Sequence, residues 1–236
     1  MNQAERLAIF QAQTRNVQKL VQVRRHIARS VNEALRLNNE ASAEVHTRSL
    51  ALVFCAWAEA SFSKHIHTPY GFTLDEIDQI KQHDGRQRSI EDAWQKAIQL
   101  GLMRVDAGTG IRQNRRQEIE KLVKDHVVEP SLIRNKIAHG QWEIALNRNN
   151  SAVNPEITSA IQQLDIVVID SWFETLSHLA LLLETLVESP TKAFQRDYWI
   201  HVTNLRDYIT KTKHWTLADK KAKLQFKRSL KNAKAS

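Results

Sequence analysis

At 236 residues the chain is long enough for one good-sized core or two small ones. Six glycines and four prolines are too few for a β-rich fold with its many turns, and the lone Cys55 excludes a disulfide framework or a thiolate metal site. The formal charge of +8 is modest and unevenly placed. The first residues, "MNQAERLAIFQAQTRN", carry charge early and lack the apolar core of a signal peptide. No apolar stretch is read as reaching the roughly 18 to 20 residues of a membrane span. A cytoplasmic protein with no membrane partner is the expectation, and an unpaired cysteine fits it.

Helical periodicity runs through nearly the whole chain. Residues 3–40 read as one long helix, with Leu7, Phe10, Val17, Leu20, Val21 and Ile27 at helical steps, and "NNEAS" (38–42) interrupts it. A second helix, 43–67, is apolar almost all round in its middle and belongs at the centre of the fold. "TPYGFT" breaks the chain, and Thr73 with Glu76 makes a capping box for a short helix. The next helix, 88–101, is expected to end at Gly101, with "VDAGTG" as a loop and helix again over 114–128. After a polar break, "NRNNSAVNP" (147–155), one long apolar helix covers 156–188 and stops at Ser189–Pro190. A last apolar helix spans 191–210.

The two apolar helices, 43–67 and 156–188, must pack on each other or on a second copy of the chain, so a homodimer is a fair expectation. The fold class that follows is all-α: a helical bundle over 1–190, with its core at 43–190. The helices of 191–236 are expected to pack on the same domain.

Two clusters of positive charge stand out. Lys211 to Lys234 holds nine Lys or Arg against one acid, Asp219, and such a block attracts polyanions, nucleic acid above all. A solvated helical tail accounts for it equally well. "GIRQNRRQEIEK" (110–121) places Arg112, Arg115 and Arg116 as a second candidate phosphate-facing surface.

"SLIRNKIAHGQW" (131–142) carries the chemistry-bearing residues. Pro130 and Ser131 suit the first turn of a helix, and Gly140 suits the position just past its end. Asn135 and His139, four residues apart, share a helical face. Arg134 and His139 differ by roughly 140° around the axis and point apart. They can hold one phosphate together only if the helix unwinds at His139 or if two copies face each other. Spacing alone is weak, because "RDYWIH" repeats it at Arg196 and His201. That second stretch lies in a helix whose aromatic residues imply a packed, dry face.

"IRNKIAHG" resembles the signature of the HEPN superfamily, small all-α domains whose catalytic members carry arginine, a polar residue and histidine at this spacing. "FCAWAEASF" (54–62) is similar to the helix of that family bearing an acidic residue among apolar neighbours, here Glu59. The likeness covers roughly 43–190. It implies a bundle that dimerises to bring two motifs into one cleft, and a metal-independent endoribonuclease of toxin–antitoxin, abortive-infection or CRISPR-linked systems. An antitoxin or another defence-system protein would then be a partner beside RNA. By carry-over Arg134, Asn135 and His139 take the catalytic positions. Some family toxins are silenced by modification of a tyrosine two residues past the histidine; Gln141 stands there in this chain.

The chemistry is arguable without the family. RNA brings its own nucleophile, the 2′-hydroxyl, so the protein need only move protons and stabilise charge. Histidine, whose ordinary pKa lies near ~6.5, suits proton transfer. Arg134 would stabilise the phosphorane with its fixed fork, and Asn135 would orient phosphate or imidazole. Lys136 joins Arg112, Arg115 and Arg116 as an RNA-binding candidate. No cofactor is required, and no metal site is expected: His46 and "HIH" (65–67) read as solvated histidines. Glu59, among apolar neighbours, needs a partner, first of all Arg134, whether to hold the arginine or to join the chemistry. Each motif residue also has a purely structural reading. The alternatives to a ribonuclease are a non-catalytic RNA- or protein-binding helical module, or a nuclease subunit of a larger defence complex.

Overall fold

The computed structural model describes residues 1–233, apart from the side chains of residues 83, 228 and 230–233. Among these residues the fold is all-α, as the periodicity predicts. The helices are α1 (Gln3–Arg36), α2 (Glu40–Ile66), α3 (Leu74–Lys81), α4 (Ile90–Met103), α5 (Thr109–Val123), α6 (Glu129–Ala138), α7 (Pro155–Gln162), α8 (Ile166–Glu188), α9 (Ala193–Thr212) and α10 (Leu217–Ala233). A two-residue hairpin, β1 (Gln82–His83) and β2 (Arg86–Gln87), links α3 to α4.

α1 and α2 form a long antiparallel hairpin. The turn falls earlier than periodicity suggests, because Asn38 takes a left-handed φ of 56° and Asn39 caps α2, accepting from the Ser42 N–H at 3.1 Å. The capping box of Thr73 and Glu76 is present and starts α3. α2 is the centre of the core, with Leu50, Ala51, Phe54, Cys55 and Ala58 buried on several sides. α8 lies against it: the Phe173 ring meets Phe54 edge-on at 5.2 Å and Trp57 at 5.4 Å, and Arg24 of α1 covers its face at 4.2 Å. The two apolar helices therefore satisfy each other within one chain. The argument for a dimer from surplus apolar helix lapses.

Four expectations need correction. The apolar run 156–188 is two helices, because Asp165 accepts from the Val167 and Val168 N–H groups at 2.7 and 3.0 Å and starts α8 afresh. Gly101 does not end α4. It is buried inside the helix, where a Cβ would come within 2.7 Å of Leu186 Cγ, so glycine lets α4 and α8 approach. α5 begins at Thr109 rather than 114 and runs through a π turn, Lys124–Val128, directly into α6. The wide turn makes room for Pro130, which lacks an N–H and crowds the carbonyl four residues back. Finally, α8 is long and apolar enough to cross a membrane by composition alone, contrary to the sequence reading. Its Ile169, Phe173, Leu176, Leu183 and Leu186 are buried in the core of this bundle.

α9 packs on α8 and buries Phe194 and Tyr198, while Trp199 and Ile200 are exposed. The face around His201 is thus half wet rather than dry. α10 lies on α1 and α8, with Lys220 at 2.7 Å from Asp170 and Lys221 at 2.7 Å from Glu40. Lys234, the last cation of the basic block, falls outside the described residues.

Candidate active site

The motif occupies the last turn of α6. The helix ends at Ala138 in a paired C-terminal motif: the Gly140 N–H reaches the Ile137 carbonyl at 3.1 Å, and the Gln141 N–H reaches that of Lys136 at 2.9 Å. This termination requires a left-handed residue, and Gly140 supplies it with φ 79°. His139 is the capping residue itself, with φ −92° and ψ 20°, and is exposed.

The segment after Gly140 folds back as a flap. Leu146 and Val153 pair as an isolated bridge, and Asn147 Oδ1 accepts from the N–H groups of Asn149 and Ser151 at 3.2 and 2.9 Å. Gln141 Oε1 accepts from the Leu146 N–H at 2.7 Å, Lys136 Nζ donates to the Leu146 carbonyl at 2.5 Å, and Thr158 Oγ1 accepts from the Ala145 N–H at 3.0 Å. The sequence reads this stretch only as a polar break. Its asparagines, which form turns by bonding their own backbone, were the available signal.

Between flap, α6 and α7 lies an open groove of about 1270 Å³. Asn135 and His139 both line it, as four-residue spacing predicts, beside Lys136, Lys124, Arg148 and Asn154. Glu91, Glu129 and Glu156 line it as well, so the groove is mixed rather than uniformly basic. Lys124 enters from the π turn, which sequence periodicity does not reveal.

Arg134 is not among the groove's lining residues. Its guanidinium turns to α2, where it is ion-paired with Glu59 and lies close to the Cys55 thiol. Burial works to lower the Arg134 pKa, but Cys55 and Glu59 outweigh it and hold the group above its ordinary value. Burial pushes the Cys55 thiol up in turn, so it is a packed neutral thiol, with Arg134 opposing only in part. The pairing of Glu59 with Arg134 suggested by the sequence is present. Glu59 is largely exposed and lines a different cleft, between α1, α2 and the start of α4.

The other candidates are dispersed. Arg112 and Arg116 line a cleft between α4 and α5, with Arg116 at 2.7 Å from Glu120. Arg115 turns to α9 and lies over the Tyr198 and Phe194 rings at 4.6 and 5.7 Å. Of the four RNA-binding candidates only Lys136 reaches the groove. In the repeated spacing on α9, Arg196 is exposed and tied to Asp197 at 2.6 Å, while His201 is half-buried with Nε2 unpartnered. Burial lowers the His201 pKa.

The histidines read as solvated are a correction. His65 and His67 are buried at the end of α2, His67 Nδ1 lies 2.6 Å from the Ser63 carbonyl, and burial lowers the pKa of both. Among the described residues no three His, Cys, Asp or Glu side chains come together as a metal site.

Comparison with protein-family models, with curated proteins and with solved structures finds no match for this chain.

Proposed function

We propose that the chain is a metal-independent endoribonuclease of the HEPN kind, a cytoplasmic toxin or anti-phage defence effector. One observation carries the reading: Asn135 and His139 line the same open groove, at a glycine-terminated helix end that leaves the imidazole accessible. In the proposed reaction the RNA 2′-hydroxyl attacks the adjacent phosphorus while its proton passes to a base. The bond to the 5′-oxygen breaks, and that oxygen takes a proton from an acid. The products are a 2′,3′-cyclic phosphate and a 5′-hydroxyl. His139 serves one of the two proton transfers, and Asn135 orients the phosphate by donating from its amide.

Arg134 faces α2, so within one chain it acts as a positioning residue that seats α6. Charge stabilisation at the phosphate falls to lysines of the groove or to a second copy of the motif. A homodimer also supplies a second histidine, which lets base and acid be different residues. Support for the dimer is this chemical need and the divergence of Arg134 from His139.

The test is end-group chemistry. Purified protein should cut RNA in EDTA and leave 2′,3′-cyclic phosphate ends. Cleavage that EDTA abolishes and metal restores would overturn the mechanism.

The neutralisation of Arg134 by Glu59 favours a second reading: a non-catalytic RNA- or protein-binding module, or a nuclease subunit that another chain completes. An antitoxin or defence-system partner fits either reading.

A further inference from the structure

α10 has two unlike faces. Leu217, Lys220, Lys221 and Leu224 turn inward and are half-buried, and the two lysines are held by Asp170 and Glu40. On the other side Phe226 is 63% exposed; Trp215, in the link ahead of the helix, is 53% exposed and lines a cleft with Lys220, Lys223 and Asp170. Lys223 and Lys227 lie to one side of Phe226 on the helix, and Lys211 and Lys213 precede Trp215, all four exposed. Tyr208 braces the Trp215 ring edge-on at 6.5 Å. The one acid of the segment, Asp219, is already engaged: its carboxylate accepts from the Thr216 hydroxyl at 2.7 Å, and its backbone N–H donates to that hydroxyl at 3.1 Å.

Exposed aromatic rings with lysines between them match one polymer in both respects. A single nucleic-acid strand offers free base faces to stack and regularly spaced phosphates to pair, whereas a duplex hides its base faces. A solvated helical tail accounts for the lysines, whereas a nucleic-acid strand uses the exposed Trp215 and Phe226 rings as well. No residue of this face lines the groove at His139.

We propose that Trp215 and the outer face of α10 form a docking surface for single-stranded RNA, separate from the groove at His139. The choice of RNA rests on the endoribonuclease reading; the surface itself rests on the charge and aromatic pattern.

The test measures anisotropy of a fluorescein-labelled oligouridine with full-length His139→Ala protein, which leaves the strand uncut. Trp215→Ala/Phe226→Ala should weaken binding about tenfold or more. Lys223→Glu/Lys227→Glu should also weaken it, and should flatten the dependence of log K on log salt by about 1.4, two phosphate contacts at ~0.7 each. Circular dichroism melts should match the parent, because these side chains lie outside the core. The proposal is overturned if both double variants bind like the parent, if Arg112→Glu/Arg116→Glu abolishes binding instead, or if a duplex of equal length binds as tightly. Binding lost with α10 in a chain whose wild type never cuts RNA keeps the surface and removes the nuclease reading. Cleavage by a wild type whose α10 variants bind normally does the reverse.

Discussion

Arg134 and His139 leave one helix toward different neighbours: Arg134 is ion-paired with Glu59 on α2, while His139 lines the groove beside α7. Glu59 is more than half exposed, so its pair with Arg134 contributes no more than about 1 kcal/mol. Glu59→Gln should lower the melting temperature by about 2–4 °C at most. Arg134→Ala should cost more, about 1–3 kcal/mol, because it also abandons the Cys55 contact and a buried stem. Urea denaturation of both single variants and the double variant checks this. Equal losses from the two single changes would mean that the ion pair, not the packing of Arg134, seats α6.

The same divergence leaves charge stabilisation to groove lysines or to a second copy, and the proposed homodimer is the second arrangement. Light scattering should give about twice the 27.2 kDa chain mass. If the cleft takes its arginine from one copy and its histidine from the other, co-expressed His139→Ala and Arg134→Ala chains should recover part of the cleavage that each lacks alone. A fully active monomer contradicts the composite site.

Stability should fall in acid through the buried histidines. Burial takes His65 from 6.5 down to about 4, with Lys64 adding to the shift and Glu184 opposing it. Between those values the unfolded chain binds more protons than the folded one, so the stability present above 6.5 is lost as pH falls toward 4. His67 and His126, both lowered chiefly by burial, act in the same sense. The urea midpoint should drop between about pH 7 and about pH 5, and His65→Leu should make that drop shallower. A midpoint that holds or rises contradicts the assignment.

Gly101→Ala should destabilise the fold even though alanine is the better helix former. The added Cβ would lie 2.7 Å from Leu186 Cγ, and overpacking of this kind costs roughly 1–3 kcal/mol. Adding Leu186→Ala should remove the steric part of the penalty, so that the two changes are not additive. Unchanged stability in Gly101→Ala would show that α4 and α8 can move apart freely.

Much of this was legible in the residues themselves. Local rules sufficed for the capping box at Thr73, the helix end at Gly140 and the shared face of Asn135 and His139, because each depends on neighbours within one turn. The breaks inside apolar runs were hidden. Asp165 interrupts a stretch that is apolar on both sides, and Gly101 looks like a helix stop until Leu186 is seen against it. Arg115 reads as a phosphate ligand from its neighbours, yet α9 brings aromatic rings beneath it. His65 and His67 read as solvated because only the tertiary fold covers the end of α2. What the sequence lacked in each case was a partner far along the chain.

The central claim is that His139 transfers a proton during RNA cleavage, and one comparison tests it most directly. Wild type, His139→Ala and His201→Ala are assayed side by side for single-turnover cleavage in EDTA and for melting temperature. His139 is exposed at a helix end, so its removal should leave the melt unchanged and lower the rate by about 10² to 10⁴. His201 is half-buried beside Val202 and Leu205, so its removal should lower stability modestly and leave the cleavage rate intact at temperatures where the fold holds. Cleavage that survives in His139→Ala and disappears in His201→Ala contradicts the account.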